Sequence, residues 1–421
     1  MKITNFIRGN LVGPTQDFTF RPFAEKDLLI SVLEDTHLYI HIPFCKSMCP
    51  YCPYNRIRYE KSLSDQYFKA LSVEIEKLSA KAEGTTISSV YIGGGTPTVD
   101  IDALSAVVGQ VLEKFNVKGD IAIETTLADI NDYNLKKLKE MQITMLSIGV
   151  QSFNQKNLSF LGRNYNASEI RPAIEKVRSY NFESINIDLI FAFPGQTKDE
   201  LLDDLRKADA LNVDQITAYP LFTFPYTTVG QYMKVKKVRM PPFWARRRLY
   251  RIVYDYFKGC DYDIASVWSF KKNNEKRYSS VTRQTYLGLG AGAGSRQGDI
   301  FYFNTFSVPE YNKALLEKKQ LPLALAMPIS PKLADWYWLY WKLYETKFSI
   351  SELQRIGDRK MRLIFRVFHS LKFFNIKHGQ LQLTERGSFW IHLIQNQFML
   401  NYINKVWSIM KVEAYPEEIR I

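Results

Sequence analysis

The sequence of 421 residues predicts an α/β protein, with a partial (β/α)6 barrel of the TIM type followed by a mostly helical C-terminal domain. Two observations predict this fold. Six short apolar and β-branched runs alternate with amphipathic stretches, and the chemically unusual residues stand where those runs end. Because crossovers between parallel strands are right-handed, repeated βα units form a parallel sheet that curls toward a barrel.

Each predicted strand is followed by enough chain for a helix and a return crossing. The predicted strands are Leu38–Ile42, Ser89–Ile92, Ile121–Glu124, Met145–Val150, Ser184–Ile190 and Gln215–Leu221. The predicted helices between them include Asp65–Lys81, Asp102–Phe115, Ala167–Tyr180 and Asp199–Leu211. In such a barrel, functional residues lie at the C-terminal ends of the strands.

Changes in composition divide the chain into four predicted segments. They are an N-terminal extension (1–37), the barrel core (38–230), a basic segment with a glycine-rich motif (231–295) and a helical, aromatic-rich C-terminal domain (296–421). In the last segment we expect a helix over Ala334–Tyr344. Near Phe374–Trp390 we expect a small hairpin and, after Thr384–Gly387, a helix over Ser388–Phe398.

The net charge of +13 is concentrated in residues 231–290, which hold 14 Lys and Arg against four Asp and Glu. An anionic membrane surface, an acidic substrate or a plain solvated face would each explain this excess. The usual nucleic-acid recognition motifs are missing, so we expect no nucleic-acid partner. Since no apolar run is long enough for a bilayer and no signal-peptide pattern is seen, we expect a cytoplasmic protein. The basic segment would allow peripheral contact with the inner membrane face.

The strongest chemical signal is a cysteine motif of spacing C-x3-C-x2-C, formed by Cys45, Cys49 and Cys52. Three thiolates on one loop can converge on one metal centre, but they do not complete a tetrahedral zinc site. They suit a [4Fe–4S] cluster with one iron open to another ligand. The alternatives are a zinc site with a further ligand, such as His41 or the distant Cys260, and cysteines buried for packing.

Several motifs in a fixed order accompany the cysteines between about Leu38 and Ser295. They are Tyr91–Thr98 (YIGGGTPT), Leu146–Phe153 (LSIGVQSF), Leu161–Arg163 (LGR), Ile187–Ile190 (IDLI), Phe193–Gln196 (FPGQ) and Tyr286–Ala293 (YLGLGAGA). With the cysteine motif, this order resembles the radical S-adenosylmethionine (SAM) superfamily. Within it, the sequence is similar to the oxygen-independent coproporphyrinogen III oxidase-like group, also described as HemN/HemW-like.

The resemblance implies a [4Fe–4S] cluster on the three cysteines and one or two bound SAM molecules. It further implies that reductive cleavage of SAM yields a 5′-deoxyadenosyl radical, with electrons from an external donor such as flavodoxin or ferredoxin. Glu124 could serve a second SAM molecule. The residues that the resemblance assigns to SAM and the cluster surroundings are Tyr39, Gly94, Gly95, Thr96, Glu124, Gln151, Arg163 and Asp188.

Three departures from the group bear on the reaction. Pro53 and Tyr54 stand where porphyrinogen oxidases carry another cysteine two positions beyond the third. Arg277–Arg283 replaces the His-Asn-x-x-Tyr-Trp stretch of haem-binding relatives, and Gly294 replaces the usual histidine after the glycine-rich motif. What remains resembles the class C radical SAM methyltransferases.

From that resemblance we expect methylation of an sp2 carbon in a flat hydrophobic substrate such as menaquinone, which the aromatics near Trp336–Tyr344 could stack. The alternative is an oxygen-independent coproporphyrinogen III oxidase or another anaerobic enzyme that modifies a tetrapyrrole or haem. A minor alternative is a haem or cluster carrier.

Overall fold

The computed structural model describes residues 17–30, 35–224, 227–234, 238–260, 262–272, 276–279, 282–354 and 359–421. The described strands, in chain order, are β1 Thr19–Pro22, β2 Thr36–Ile42, β3 Phe44–Cys45, β4 Ile57–Arg58, β5 Thr86–Gly94, β6 Asn116–Val117, β7 Ile121–Thr126, β8 Met145–Gln151, β9 Ser184–Phe191, β10 Gln215–Pro220, β11 Tyr262–Ile264, β12 Ser269–Lys272, β13 Tyr286–Leu289, β14 Gly294–Gln297, β15 Ile300–Asn304, β16 Leu323–Pro328, β17 Lys347–Ser349, β18 Phe374–Lys377, β19 Gln380–Leu383 and β20 Ile419–Arg420.

The described α-helices follow the strands in the alternation that the sequence predicts. They are α1 Lys61–Lys81, α2 Ile101–Lys114, α3 Asp132–Glu140, α4 Gln155–Phe160, α5 Ile170–Ser179, α6 Lys198–Asp209, α7 Thr228–Lys234, α8 Phe243–Gly259, α9 Val308–Leu316, α10 Pro331–Tyr344, α11 Ile350–Gln354, α12 Arg359–Ser370 and α13 Glu385–Met410.

All six predicted barrel strands are confirmed. They form parallel neighbours in the order β2-β5-β7-β8-β9-β10, and β13 adds a seventh parallel strand beside β2. The hydrogen-bonded order then runs on to β11 at one end and to β20 at the other, so the described sheet does not close on itself. The structure is therefore a partial (β/α)6 barrel, as the sequence predicts.

The central strands are almost fully buried because helices and sheet cover them on both faces. Every residue of β8 is buried, and the same holds for all of β9 except Asp188. Side chains on the inner faces of the helices complete the core; α6, for example, starts with a Thr197–Glu200 capping box and buries Leu201 and Leu205 against the sheet. Parallel register brings the C-terminal ends of these strands to one edge.

The division into four segments stays a prediction, but the sheet crosses two of its boundaries. The boundary at 295/296 falls inside β14, and β14, β15 and β16 extend the barrel sheet in antiparallel order. The boundary at 37/38 falls inside β2, while β1 pairs with β16. The sheet crosses these boundaries because residues of different predicted segments pack together. For example, Phe303 on β15 contacts Phe20 on β1 and Trp407 on α13.

The C-terminal region is largely helical and contains a three-stranded sheet in the order β17-β19-β18. The predicted helix over Ala334–Tyr344 is confirmed as part of α10, and the predicted hairpin is confirmed as β18 and β19. The helix after it is much longer than predicted, running from Glu385 to Met410. None of the described helices is both long and apolar enough to cross a membrane.

A buried carboxyl group joins α1 to the second half of the sheet. Glu74 on α1 is 2% exposed and accepts hydrogen bonds from Gly290 N (2.7 Å), the Tyr311 hydroxyl (2.5 Å) and Asn304 Nδ2 (2.6 Å). Burial raises the pKa of Glu74 from 4.5 to about 7, although these three donors oppose the shift. Protonation of Glu74 is therefore linked to folding.

We predict a pH-dependent difference between the wild type and Glu74→Gln. Since the folded pKa is raised, the stabilising contribution is complete below pH 4.5 and is lost as pH rises to about 7. The free energy of unfolding of the wild type, relative to the variant, should fall over this range by up to about 1.4 kcal/mol per pH unit. Urea unfolding measures this difference.

The matched control is Glu76→Gln on the same helix, because the Glu76 side chain is 59% exposed and forms only a surface ion pair with Lys114. This control should differ from the wild type by the same small amount at every pH. A Glu74→Gln stability curve parallel to that of the wild type would contradict the assignment.

Candidate active site

A cavity of about 610 Å³ opens at the C-terminal ends of the parallel strands. Ten of the eleven predicted site residues line it: Cys45, Cys49, Cys52, Gly94, Gly95, Thr96, Glu124, Gln151, Arg163 and Asp188. The eleventh, Tyr39, stacks against Tyr91 at a ring distance of 6.2 Å and is not among the lining residues. The fold therefore gathers residues from five strands and three loops around one space.

The cysteine loop begins on β3 and returns through β4. Its two ends are joined because Ile57 N donates to Pro43 O (2.7 Å) and Tyr59 N donates to Cys45 O (2.9 Å). Within the loop, Cys52 N donates to Cys49 O (3.4 Å). Burial raises the pKa of the Cys45 thiol to about 11, and the Thr96 hydroxyl lies 3.6 Å from its sulfur as an opposing donor.

The donor set fits an iron–sulfur cluster through its chemistry. Three thiols on one loop line the same cavity and supply the soft ligands that iron–sulfur clusters use. Across the described ranges, no three His, Cys, Asp or Glu side chains stand close enough together to hold a single metal ion. The fit therefore rests on the kind and sequence spacing of the ligands, since their sulfurs do not converge on one point.

Neither alternative fourth ligand suits the loop. Both ring nitrogens of His41 are engaged, since Tyr39 donates to Nδ1 (2.7 Å) and Nε2 donates to Asn55 O (2.7 Å). Burial lowers the pKa of His41 to about 4, so the imidazole is neutral. Cys260 lies beyond the end of α8, with its sulfur 3.8 Å from Asp209 Oδ2, and does not line the cavity.

The triple glycine at the end of β5 braces the cysteine strand. Gly95 N donates to Ile42 O (2.7 Å) and Thr96 N donates to Phe44 O (2.8 Å). A Cβ on Gly95 would lie 2.6 Å from Phe44 O, so only glycine permits this approach. Because these amide donors are engaged within the chain, a contact from here to SAM would use carbonyl oxygens.

Two partly buried carboxyl groups face the cavity from neighbouring parts of the sheet. Glu124 accepts hydrogen bonds from the Tyr91 hydroxyl and from Gly94 N (3.3 Å). Asp188 accepts from Asn186 Nδ2 (2.9 Å) and the Ser147 hydroxyl (3.4 Å). Burial raises the pKa of both, to about 7 for Asp188, where the charge of Glu124 adds to the effect. A cationic ligand would stabilise their ionised forms.

Arg163 and Gln151 lie side by side above Gly149. A Cβ on Gly149 would lie 2.6 Å from Gln151 Nε2 and 3.5 Å from Arg163 Nη2. Arg163 donates to the Tyr51 hydroxyl (2.8 Å) and to Thr126 Oγ1 (3.4 Å), and its buried Nε has no hydrogen-bond partner in the part of the chain that is described. The guanidinium thus retains a donor for an anionic group.

The outer half of the cavity is aromatic, and most of its residues were not predicted as site residues. Trp268 follows the β11 strand, Trp341 and Tyr344 come from α10, and His392 comes from α13. Trp268 Nε1 donates to His392 Nε2 (3.1 Å), and burial lowers the pKa of His392 to about 4. The long C-terminal helix therefore forms one wall of the barrel mouth.

A sequence signal for this wall exists on α13. His392, Asn396 and Met399 are spaced by four and three residues, so they share one helical face, and all three line the cavity. That spacing is equally typical of core packing, and Trp338 on α10 does pack into the separate C-terminal core beside Phe348. Sequence spacing alone does not separate the two uses.

Part of the charge in the basic segment is used in internal ion pairs. Arg247 pairs with Glu385 on α13, and Arg277 pairs with Glu345 (2.9 Å). Lys276 pairs with Asp120 (2.9 Å) and Glu183 (2.5 Å). Of the lysines noted in the sequence, 236 and 237 lie outside the described residues. Arg277 also lines the cavity.

Comparison with known proteins identifies the family. A model of the radical SAM superfamily matches residues 39–208. Heme chaperone HemW of Bacillus subtilis (strain 168) is 30% identical over 287 residues, which cover 66% of this chain and 76% of HemW. Anaerobilin synthase of Escherichia coli O157:H7 is 24% identical over 397 residues, which cover 90% of this chain and 86% of that protein.

The solved structure of the Escherichia coli coproporphyrinogen III oxidase HemN, a radical SAM enzyme, has the same fold. It superposes with a TM-score of 0.76 at 22% identity and covers 90% of this chain and 94% of HemN. The cysteine motif, the parallel barrel and these similarities agree. The chain therefore belongs to the radical SAM superfamily, in the group that contains heme chaperone HemW and oxygen-independent coproporphyrinogen III oxidase.

Proposed function

We propose that this protein is a radical SAM enzyme that modifies a tetrapyrrole. One observation carries the proposal: a single cavity extends from the three cysteines to an aromatic wall built by the turn between β11 and β12, by α10 and by α13. The inner half offers ligands for a cluster and SAM, and the outer half offers flat apolar faces for a ring. The substrate would then lie in the same cavity as the cluster and SAM.

The residues of the inner half have complementary tasks. Cys45, Cys49 and Cys52 would hold the [4Fe–4S] cluster that the superfamily implies, and Arg163 and Asp188 would face SAM. When bound, the cluster and SAM supply a 5′-deoxyadenosyl radical. Gln151, Glu124, Gly94, Gly95 and Thr96 complete the wall around SAM, and Tyr39 supports that wall from behind. One or two SAM molecules would bind there.

Charge and burial explain how the inner half would select a ligand such as SAM. Asp188, with its pKa raised to about 7, is only partly ionised in the free protein at neutral pH. A sulfonium or ammonium group nearby would favour the carboxylate form, so cation binding would release a proton to solvent. Arg163 would pair with a carboxylate of the same ligand. The aromatic wall would keep water from the reacting atoms.

The outer half supports a tetrapyrrole more than a quinone. Trp341 and Tyr344 offer ring faces. Arg277, which pairs with Glu345 (2.9 Å), also lines the cavity and could exchange that partner for a substrate carboxylate. A menaquinone carries no such carboxylate. The relatives named above also include proteins named for haem and coproporphyrinogen, and none for a quinone. Methylation of menaquinone, the first expectation from the sequence, therefore finds no support.

Between the two tetrapyrrole reactions, modification of a ring such as haem is favoured over decarboxylation of coproporphyrinogen. Tyr54 stands where the oxidases carry an additional cysteine. The similarity to anaerobilin synthase also spans 90% of this chain. We propose a cytoplasmic enzyme that receives electrons from a flavodoxin- or ferredoxin-like donor. Three of the cations that could contact a membrane, Arg247, Lys276 and Arg277, are instead paired within the protein, so we propose no membrane contact.

We predict that a tetrapyrrole will stimulate SAM cleavage. The anaerobically reconstituted protein receives SAM and a reductant, with haem, coproporphyrinogen or menaquinone in separate reactions. The 5′-deoxyadenosine and S-adenosylhomocysteine formed are then quantified. Haem should be consumed while deoxyadenosine rises above the background without substrate. Formation of S-adenosylhomocysteine in the haem reaction would show that the enzyme also transfers a methyl group.

The other two reactions make this test decisive. Carbon dioxide released from coproporphyrinogen, with no consumption of haem, would move the proposal to oxidative decarboxylation. Deoxyadenosine stimulated only by menaquinone, with a product one methyl group heavier, would contradict a tetrapyrrole substrate.

We predict that Trp341→Ala weakens binding of the tetrapyrrole roughly tenfold, because a stacking face worth about 1.4 kcal/mol is removed. The affinity for SAM should not change, since Trp341 belongs to the outer half of the cavity. Fluorescence quenching by haem and equilibrium dialysis with SAM measure the two affinities. Trp338→Ala on the same helix is the control, because Trp338 packs into the C-terminal core and does not line the cavity. Equal losses of haem affinity in both variants would contradict a substrate wall at Trp341.

A further inference from the structure

The glycine-rich segment Tyr286–Ala293 does not line the cavity, although it is one of the most distinctive motifs of the sequence. Its first half is β13, which pairs in parallel with β2, the strand that leads into the cysteine loop. Its second half continues past the end of β2. The segment therefore lies directly behind the cysteine loop and not at the substrate site.

Asn55 connects this segment to the loop. It follows the third cysteine, Cys52, by three residues and is 8% exposed. Its side-chain Nδ2 donates to Ala291 O (3.1 Å) and to Phe306 O (3.0 Å), and its main-chain oxygen accepts from His41 Nε2 (2.7 Å). All three bonds are buried, so each one restrains the C-terminal end of the loop.

The glycines of the segment make room for these contacts. A Cβ on Gly292 would lie 2.7 Å from Asn55 Nδ2, and a Cβ on Gly290 would lie 2.5 Å from His41 O. Both glycines have positive φ angles, +80° and +103°, that other residues rarely adopt. The local backbone therefore leaves room for the Asn55 side chain at Gly292 and for the end of β2 at Gly290.

A second set of hydrogen bonds holds the segment itself in place. The Tyr67 hydroxyl donates to His41 O (2.6 Å) and accepts from Ala291 N (3.0 Å). Gly290 N donates to the buried carboxyl of Glu74 (2.7 Å). Because Tyr67 and Glu74 belong to α1, the segment is anchored to the helix that follows the cysteine loop. The backbone that accepts a hydrogen bond from Asn55 is therefore held in place by α1.

We propose that Asn55 is a positioning residue that, seated on Gly290–Gly292, fixes the end of the cysteine loop and thereby the cluster relative to the SAM-binding part of the cavity. This inference rests on the proposed cluster at Cys45, Cys49 and Cys52. It gives the glycine-rich motif a task in the geometry of the cluster and not in substrate binding.

The test compares two glycine substitutions that both fall at positive φ angles. Gly292→Ala places a Cβ against Asn55, whereas Gly298→Ala, at φ +55°, places a Cβ where no atom lies within 4 Å. Hydrogen exchange of residues 46–56 in the reconstituted protein should be about tenfold faster in Gly292→Ala than in Gly298→Ala. The electron paramagnetic resonance (EPR) signal of the reduced protein with SAM should change only in Gly292→Ala.

Asn55→Ala provides a second variant in case Gly292→Ala does not fold, since it removes both side-chain hydrogen bonds without a clash. It should reproduce the faster exchange and the altered EPR signal. Exchange and EPR signals that match the wild type in a folded variant would overturn the proposal, as would faster exchange spread evenly over the barrel strands. Absence of any cluster signal from the wild-type protein would instead refute the proposed function.

Discussion

The short backbone bridge between the cysteine strand and the triple glycine is the interaction on which the rest of the site depends. Gly95 N and Thr96 N donate to Ile42 O and Phe44 O, so the end of β5 and the start of the cysteine loop form one unit. The bridge exists only because a Cβ at Gly95 would collide with Phe44 O. It brings the Thr96 hydroxyl to the sulfur of Cys45 and sets Glu124 beside Gly94 N. The proposed positions of cluster and SAM follow from this one constraint.

Burial gives the cavity its chemical character. Carboxyl groups at Glu124 and Asp188 are held among tyrosine, serine and asparagine side chains, and burial raises the pKa of each. A positive charge on a ligand, such as a sulfonium, would stabilise the ionised forms of these carboxyl groups. The guanidinium of Arg163 retains an unpartnered Nε within the described residues, which suits a ligand that also carries a carboxylate. The proposed SAM site therefore offers negative groups for the positive charges of SAM and a positive group for its carboxylate.

The sequence predicts most of the fold and the inner half of the site, because both depend on local patterns. All six barrel strands were visible as apolar runs, and ten of the eleven site residues line one cavity. What escapes prediction depends on distant contacts. The occupied ring nitrogens of His41, the pairing of Arg247 with Glu385 and the wall formed by α13 each join residues far apart in the chain. The continuation of the sheet beyond residue 296 was not predicted for the same reason, since the aromatic residues of β15 are compatible with a helix as well as with a strand.

The most direct test of the proposed cluster site is EPR spectroscopy of the anaerobically reconstituted and reduced protein, with and without SAM. We expect a [4Fe–4S] signal that shifts when SAM is added, because SAM would bind the iron left open by three cysteines. The signal should be absent from Cys45→Ala, Cys49→Ala and Cys52→Ala and retained in Cys260→Ala, whose sulfur lies outside the cavity. A signal that does not respond to SAM, or that survives the loss of Cys45, would contradict the central claim that this loop holds the cluster.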